Sequence, residues 1–527
     1  MKKLISIIFI VFLSVGIFPA KGLAHATLVQ SNPAAESQLN KFPHEIVLAF
    51  NERLERELFE LQVYDRNGKA VAKQKPKMST DQRVLSLKLQ KQPKGVYTVT
   101  YHIISADGHP VSDSYVFTVG KTSKSGKGPS DKAANHQHDI LGSPVIWGFR
   151  AAYFFIMLLV AGFVYWGTVL SSEKRSSLFR VWEKRLLKLN GYALIIFIVL
   201  SAVDLLSGEE MDKVGRLLLK TTVGLSWIFS FILAFAGIAI VGRKKWINIV
   251  WIVLTFLVKS LNGHAAGADR VYLSVPLDMI HLFAASLWAG GVFYLFLVHR
   301  KDKEQMRMFL PVFSKTAFIS LVALMISGLL YTLILQPKLS YLVETSWGIL
   351  LLIKIVAVLA VLIAGAMIRR KITVNESIST WLKADFSLLV AIIIIVGALT
   401  YMSPTPVNEP LTWVKDTNSG QIQTEISPMK PGNNSFSVEV VTKKGKPKPR
   451  AVELWLYSLD SDKMAPIKVS LKKQGSPKAD KNQLEETYAR SGPYLPFPGK
   501  WLVEVKVLDQ NDNEQVCKKE IRIFDIQ

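Results

Sequence analysis

The sequence predicts a multidomain membrane protein, with an eight-span α-helical bundle between two β domains. Three observations carry this expectation. Half of the 527 residues are hydrophobic, more than a soluble core needs. The apolar residues gather in long runs between positions 144 and 402. On both sides of that region, short runs rich in Val, Ile, Thr, Tyr and Phe alternate with turn signals, as in β proteins.

The chain opens with Lys2 and Lys3, an apolar run from Leu4 to Phe18, and small residues at Gly22 and Ala24. This is the pattern of a signal peptide, residues 1–24, cleaved after Ala24. An uncleaved anchor is the alternative. Cleavage would leave His25 as the first residue, with a free α-amine on the outer side of the membrane.

Residues 25–120 read as a small β domain. "EIVLAF" (45–50), "LFELQVYD" (58–65), "RVLSLKLQ" (83–90), "GVYTVTYHII" (95–104) and "SYVFTVG" (114–120) are strand-like. "DRNGK" and "SADGHP" supply the Asn-Gly and Asp-Gly chemistry of turns. This spacing fits a sandwich or a barrel. Residues 121–143, rich in Lys, Ser and Gly, are expected to be a flexible linker.

Eight apolar segments follow, near 144–170, 190–207, 217–241, 246–262, 275–298, 312–335, 347–368 and 382–402, each taken as a span. The connections after the first, third, fifth and seventh are strongly basic: "SSEKRSSLFRVWEKRLLK", "GRKK", "HRKDKEQMR" and "RRK". The positive-inside rule places them in the cytoplasm and the alternate loops, 207–215, 262–270 and 336–346, outside. Both termini then lie outside, giving a multi-pass cell-membrane protein with extracytoplasmic N- and C-terminal domains. Residues 403–419 read as a linker and 420–527 as a second β domain, which has no histidine.

Charge and cysteine narrow the function. A net charge of +23 suits nucleic acid or an anionic membrane surface. No zinc-finger, helix-turn-helix or RNA-binding signature accompanies it, and many Lys and Arg residues flank apolar runs. The expected partner is therefore the lipid bilayer, not nucleic acid. The single cysteine, Cys517, excludes an internal disulfide and a cysteine metal cluster. No Walker A motif is present, so ATP-driven pumping by this chain is not expected.

The sharpest chemical candidates are His25, Asp107 and His109. As a first residue, His25 offers its α-amine and imidazole to one metal, an arrangement that suits the tetragonal plane of Cu(II). Asp107 and His109 sit two apart in the D-G-H-P turn. "HATLVQSNPAAESQL" followed by "YHIISADGHPVSDSYVFTVG" resembles the CopC family of copper-binding domains. That resemblance implies an Ig-like β-sandwich with Cu(II) held by His25, Asp107 and His109. The domain has only Met78 as a methionine, so a methionine-rich Cu(I) site is not expected there. His44 and His102 read as packed or surface residues, and His136 and His138 as part of a solvated linker.

In the fifth span, "VPLDMIHLFAASLWAGG", Asp278, His281, Ala285 and Trp288 form one helical stripe, and ionisable residues inside a membrane carry function. Ala284, Ala285, Ala289, Gly290 and Gly291 permit close helix packing. An Asp–His pair that only orients helices is the plainer alternative. With "NGHAAG" and "SWGILLLIKIVAVLAVLIAGAMIRR", this region resembles the CopD family of multi-span copper-resistance proteins. The resemblance rests on His281, Trp288, Gly290 and Lys354. It makes His264, Asp278 and His281 candidates for a membrane copper path, with Cu(I) as the species there. Lys354 is expected to pair with a carboxylate such as Asp204 or Asp278. Met279, Met325, Met367 and Met402 are soft donors that also serve as packing. The C-terminal region, with "SPMKPGNNSFSVEVVTKKGKPKPRAVELWLY" and "YLPFPGKWLVEVKV", resembles the YtkA-like β-sandwiches.

These resemblances imply copper acquisition, with an external copper reductase or another copper-binding protein as a partner and no enzymatic activity in the chain. Copper tolerance by extracytoplasmic sequestration is the alternative in the same class. A histidine-brace copper redox enzyme is the alternative in another, though Asp107 and His109 together would fill the plane such an enzyme keeps open for oxygen.

Overall fold

The computed structural model describes residues 26–525 except 27, 36, 107, 109, 121–143, 171–176, 207–212, 269, 337, 375–376, 401, 403, 405, 407, 409, 418, 461–463 and 481–482. The expected signal peptide and the linker at 121–143 therefore lie outside the described residues, as do His25, Asp107, His109, His136 and His138.

The N-terminal domain is a sandwich of two four-stranded sheets. One has the order β1(Leu28–Asn32), β3(Glu45–Phe50), β6(Val84–Lys88), β5(Lys77–Met78). The other has the order β2(Gln38–Leu39), β8(Pro110–Val119), β7(Gly95–Ile104), β4(Glu60–Tyr64). Alternation places Ile46, Leu48 and Phe50 of β3 inside, facing Val99, Tyr101 and Phe117 of the second sheet. Phe50 and Tyr101 meet edge to face at 5.5 Å. The largely apolar core between the sheets explains why such short strands hold together.

The helical region comprises α1(Pro144–Val169), α2(Ser177–Leu205), α3(Lys213–Lys220), α4(Thr222–Ile240), α5(Lys245–Ser260), α6(His264–Gly267), α7(Val271–Lys301), α8(Lys303–Leu335), α9(Tyr341–Glu344), α10(Ser346–Thr373) and α11(Ser379–Leu399). Seven described helices are long and apolar enough to cross a membrane, where eight spans were expected. The difference lies at 246–262. There α5 has 16 residues, which at ~1.5 Å per residue reach about 24 Å, against a hydrocarbon core of about 30 Å.

α1 and α7 cross at glycines. A Cβ on Gly162 would stand 1.8 Å from the Ser286 carbonyl oxygen, and one on Gly290 would stand 2.6 Å from the carbonyl carbon of Gly162. Beside this crossing, the Trp166 indole donates to the Leu287 carbonyl at 3.0 Å. The small residues of the fifth span thus fix where α7 lies, and with it the stripe that α7 carries.

The C-terminal region forms a separate unit of two sheets. The five-stranded sheet has the order β14(Lys472–Asp480), β15(Gln483–Leu495), β11(Gly432–Lys443), β10(Gly420–Ser427), β9(Leu411–Thr417). The four-stranded sheet has the order β13(Ile467–Val469), β12(Pro449–Ser458), β16(Gly499–Asp509), β17(Glu514–Ile523). Phe436, Leu454, Trp501 and Val503 are fully buried between them. The unit starts before the expected residue 420, because β9 pairs with β10 across residues 411–426. Cys517 is a buried free thiol.

Candidate metal site and membrane cavity

The D-G-H-P turn joins β7 to β8, whose last pair is Ile104 with Pro110. Within the turn Gly108 takes φ +89° and its N–H donates to the Ser105 carbonyl at 2.9 Å. Glycine reaches this conformation without strain. Asp107 and His109, the two candidate ligands on either side of Gly108, fall outside the described residues, and so does His25. Its neighbour Ala26 is buried in the sandwich core.

The end of the sandwich that carries this turn is seated on the helical region. Arg53 donates to the carbonyl of Ala266. The Glu55 carboxylate accepts from the backbone N–H groups of Thr222 at 3.2 Å and Val223 at 3.3 Å. These are orphan donors in the first turn of α4, where the helix dipole favours an anion. Thr221 caps the same turn by accepting from the Gly224 N–H at 2.9 Å. Around these polar contacts, Ile104 and Leu58 pack with Leu205, Leu217, Val223 and Trp227. Burial pushes the Glu55 carboxyl above the usual carboxylate range, and the N–H groups of Thr222 and Val223 offset part of that rise. The sequence "NERLERE" reads as a solvated charge run, so Arg53 and Glu55 carry no local signal of this role.

Below the turn lies a cavity of about 530 Å³ whose walls include Gly108, His264, Asp278, His281, Trp288 and Lys354. A Cβ on Gly108 would meet Val223 at 3.1 Å and Asn262 Oδ1 at 3.5 Å. Gly108 is therefore part of the cavity wall. Asp278, His281, Ala285 and Trp288 all face this one space, so the stripe expected on the fifth span is a lining face. Asn262 donates to the Ser226 hydroxyl at 2.7 Å and Lys259 donates to the Asn262 carbonyl at 3.1 Å, tying the loop before α6 to α4 and α5. His264 opens α6, and Ser274 donates to the Ala265 carbonyl at 2.5 Å, which fixes α6 against α7.

Lys354 interacts electrostatically with Asp278, one of the two carboxylates expected to pair with it; the side chain of the other, Asp204, lies outside the described residues. His281 Nδ1 lies 3.0 Å from Ser327 Oγ on α8. Met325 also lines the cavity, whereas Met402 is buried in a separate apolar cluster. His44 is exposed, and His102 Nδ1 lies 2.6 Å from Ser112 Oγ on the neighbouring strand, as surface strand residues do. Among the described residues no three His, Cys, Asp or Glu side chains cluster as a metal site.

Two residues of this region were not singled out from sequence. Ser327 looks like an ordinary small residue of a span. Asp385, in "KADFSLLVAIIII", is a carboxylate at the head of an apolar run, and that signal was present. It is 4 % exposed, takes a hydrogen bond from Trp288, and its Oδ1 has no hydrogen-bond partner among the described residues.

Residues 28–120 match the CopC domain family, and residues 307–399 match the family described as Copper resistance protein D, CopD. The chain is a CopC–CopD fusion. The CopC match covers the whole sandwich with its docking residues. The CopD match covers most of α8 and all of α10 and α11, including Ser327, Lys354 and Asp385. The copper transport protein CutJ of Bacillus subtilis (strain 168) is a homologue, 28% identical over 476 residues, which are 84% of this chain and 86% of CutJ. Protein YobA of Escherichia coli (strain K12) is 31% identical over 99 residues, 18% of this chain and 79% of YobA. Among solved structures, the CopC crystal structure from Methylosinus trichosporium OB3b matches 19% of this chain and 99% of its own, at 28% identity and a TM-score of 0.18.

Proposed function

We propose that this chain acquires copper. The CopC domain captures extracellular Cu(II) on His25, Asp107 and His109, and the copper passes by His264, Asp278 and His281 through the helical region into the cell. The observation that carries this reading is the position of Gly108. It lies between Asp107 and His109 in sequence, and it lines the same cavity as the three membrane candidates. The printed name of CutJ, a copper transport protein homologous over most of the chain, supports the same cargo.

The proposed orientation gains support from the docking contacts. The sandwich touches the start of α4 and the segment around Asn262 and Ala266, and these adjoin two of the loops that charge assigns to the outside. In this reading α5 is the eighth crossing, short but flanked by Arg243, Lys244 and Lys245 at its cytoplasmic end, and the protein is a multi-pass cell-membrane protein with both β domains outside. Cu(II) in a tetragonal plane of nitrogen and oxygen donors differs from Cu(I), which favours soft donors. Handover therefore calls for one electron from a separate reductase, with another copper-binding protein as a partner for the metal itself. The C-terminal sandwich, YtkA-like in its sequence, serves as a structural or docking module.

Cellular copper content under copper limitation tests this function. A deletion strain should hold less copper and grow poorly, wild type should restore both, and His25→Ala or His281→Ala should not. Hypersensitivity of the deletion strain to added copper, with unchanged copper content under limitation, would establish sequestration instead.

A further inference from the structure

Inside the cavity, one hydrogen bond determines which nitrogen of His281 is left for a ligand. Ser327 Oγ has a single proton, and its nearest carbonyl acceptor is Ala323 O at 2.6 Å, with the Leu324 carbonyl 3.3 Å away. With the proton on that carbonyl, the hydroxyl oxygen meets His281 Nδ1, 3.0 Å away, as an acceptor. The Leu324 carbonyl, which has no proton to give, also accepts from the His281 ring. Both groups lie on one turn of α8, and the Leu324 carbonyl can only accept.

Gly328 borders the same ring edge. A Cβ there would stand 3.4 Å from His281 Cε1 and 3.7 Å from Nδ1, ordinary van der Waals contact, so the Nδ1 edge of the ring lies against α8. His281 borders the cavity.

We propose that Ser327 is a positioning residue: it holds His281 as the Nδ1–H tautomer and so presents the Nε2 lone pair to a soft monovalent cation in the cavity. This inference rests on reading the cavity as a metal path. Metal-binding histidines are oriented in this way by an acceptor on their other nitrogen, and loss of such a partner typically weakens the metal by 10–100-fold.

The test uses the full chain in lipid nanodiscs with 15N-labelled histidine, assigned by the His281→Gln spectrum, and Ag(I) as the probe. The expected result is an Nδ1–H tautomer at His281 in wild type. Ag(I) shifts its Nε2 resonance, Ser327→Ala mixes the tautomers and weakens Ag(I) binding about tenfold, and Ser327→Thr restores both. An Nε2–H tautomer in wild type, or an unchanged tautomer in Ser327→Ala, overturns the positioning role whatever Ag(I) does. A correct tautomer with no Ag(I) response at His281 overturns the ligand role and the metal-path reading beneath it, while leaving the Ser327 contact in place. The threonine variant separates a lost hydroxyl from a misfolded helix.

Discussion

The carboxylate of Glu55 in the CopC domain accepts a hydrogen bond from the Val223 backbone N–H at the head of α4, 3.3 Å away. An acidic side chain of the sandwich thereby takes over orphan donors that a helix start would otherwise leave to water. Arg53, two residues earlier, donates to the Ala266 carbonyl. A cation and an anion on one loop engage a carbonyl and a helix start on the helical region, so the contact has a fixed polarity and register.

That contact should respond to pH. Burial raises the Glu55 carboxyl above its ordinary value in the docked state, so the docked form holds the proton more tightly than the undocked form. Docking is then strongest below the ordinary carboxylate range and weakens as pH rises through the raised value. Fluorescence transfer between labels on the sandwich and on the loop before α3 should fall across that window in wild type and stay flat in Glu55→Gln. A flat wild-type profile would show that Glu55 is not the titrating group.

If the turn must touch the cavity wall for copper to pass, the membrane side of the contact can be altered without touching the copper ligands. Val223 approaches the Gly108 position within van der Waals range and is buried. Val223→Trp adds volume where the turn sits, an overpacking that forces a shift. Cu(II) titration of the full chain should be unchanged, and cellular copper accumulation should fall to the level of the deletion strain. Equal accumulation by the variant and wild type would sever capture from this contact.

How far the sequence led depended on the range of the interactions. The strands at 45–50 and 95–104 were legible because alternation is a local signal and one face of each is apolar. The stripe of Asp278, His281, Ala285 and Trp288 was legible because helix periodicity is fixed. The apolar run at 246–262 is longer than the 16-residue α5 it contains, because residues past the end of a helix can be as apolar as those within it. The linker drawn to residue 419 hid β9, whose pairing with β10 depends on a turn and not on strong alternation. Arg53, Glu55 and Ser327 stayed hidden because their partners are more than forty residues away. A charged loop and a lone serine say nothing about what will fold against them.

The crossing of α1 and α7 gives a test of packing. With Gly162 and Gly290 in backbone contact, Gly290→Val should separate the helices and move the whole cavity-lining face of α7. Overpacking of this kind costs about 1–3 kcal/mol, occasionally more. Thermal unfolding in detergent should show a lower midpoint. Gly365→Ala, on α10 where an added Cβ meets nothing within 4 Å, serves as the neutral control. A Gly290→Val midpoint equal to that control would mean that the helices do not approach this closely.

Cleavage after Ala24, where it occurs, makes His25 the first residue of the chain. A two-nitrogen chelate at His25 requires its α-amine to be free, so one additional residue ahead of it removes a donor and leaves every side chain in place. Full chains beginning at His25, and the same chains extended by a single alanine, should differ in Cu(II) affinity by tenfold or more, about 1.4 kcal/mol. The affinity of the His25 chain should also fall at low pH, because the metal competes with protons for both nitrogens. His109→Ala in the His25 chain should weaken binding independently of the extension. If the extended and native termini bind Cu(II) equally, the α-amine is not a ligand, and cleavage after Ala24 plays no part in forming the site.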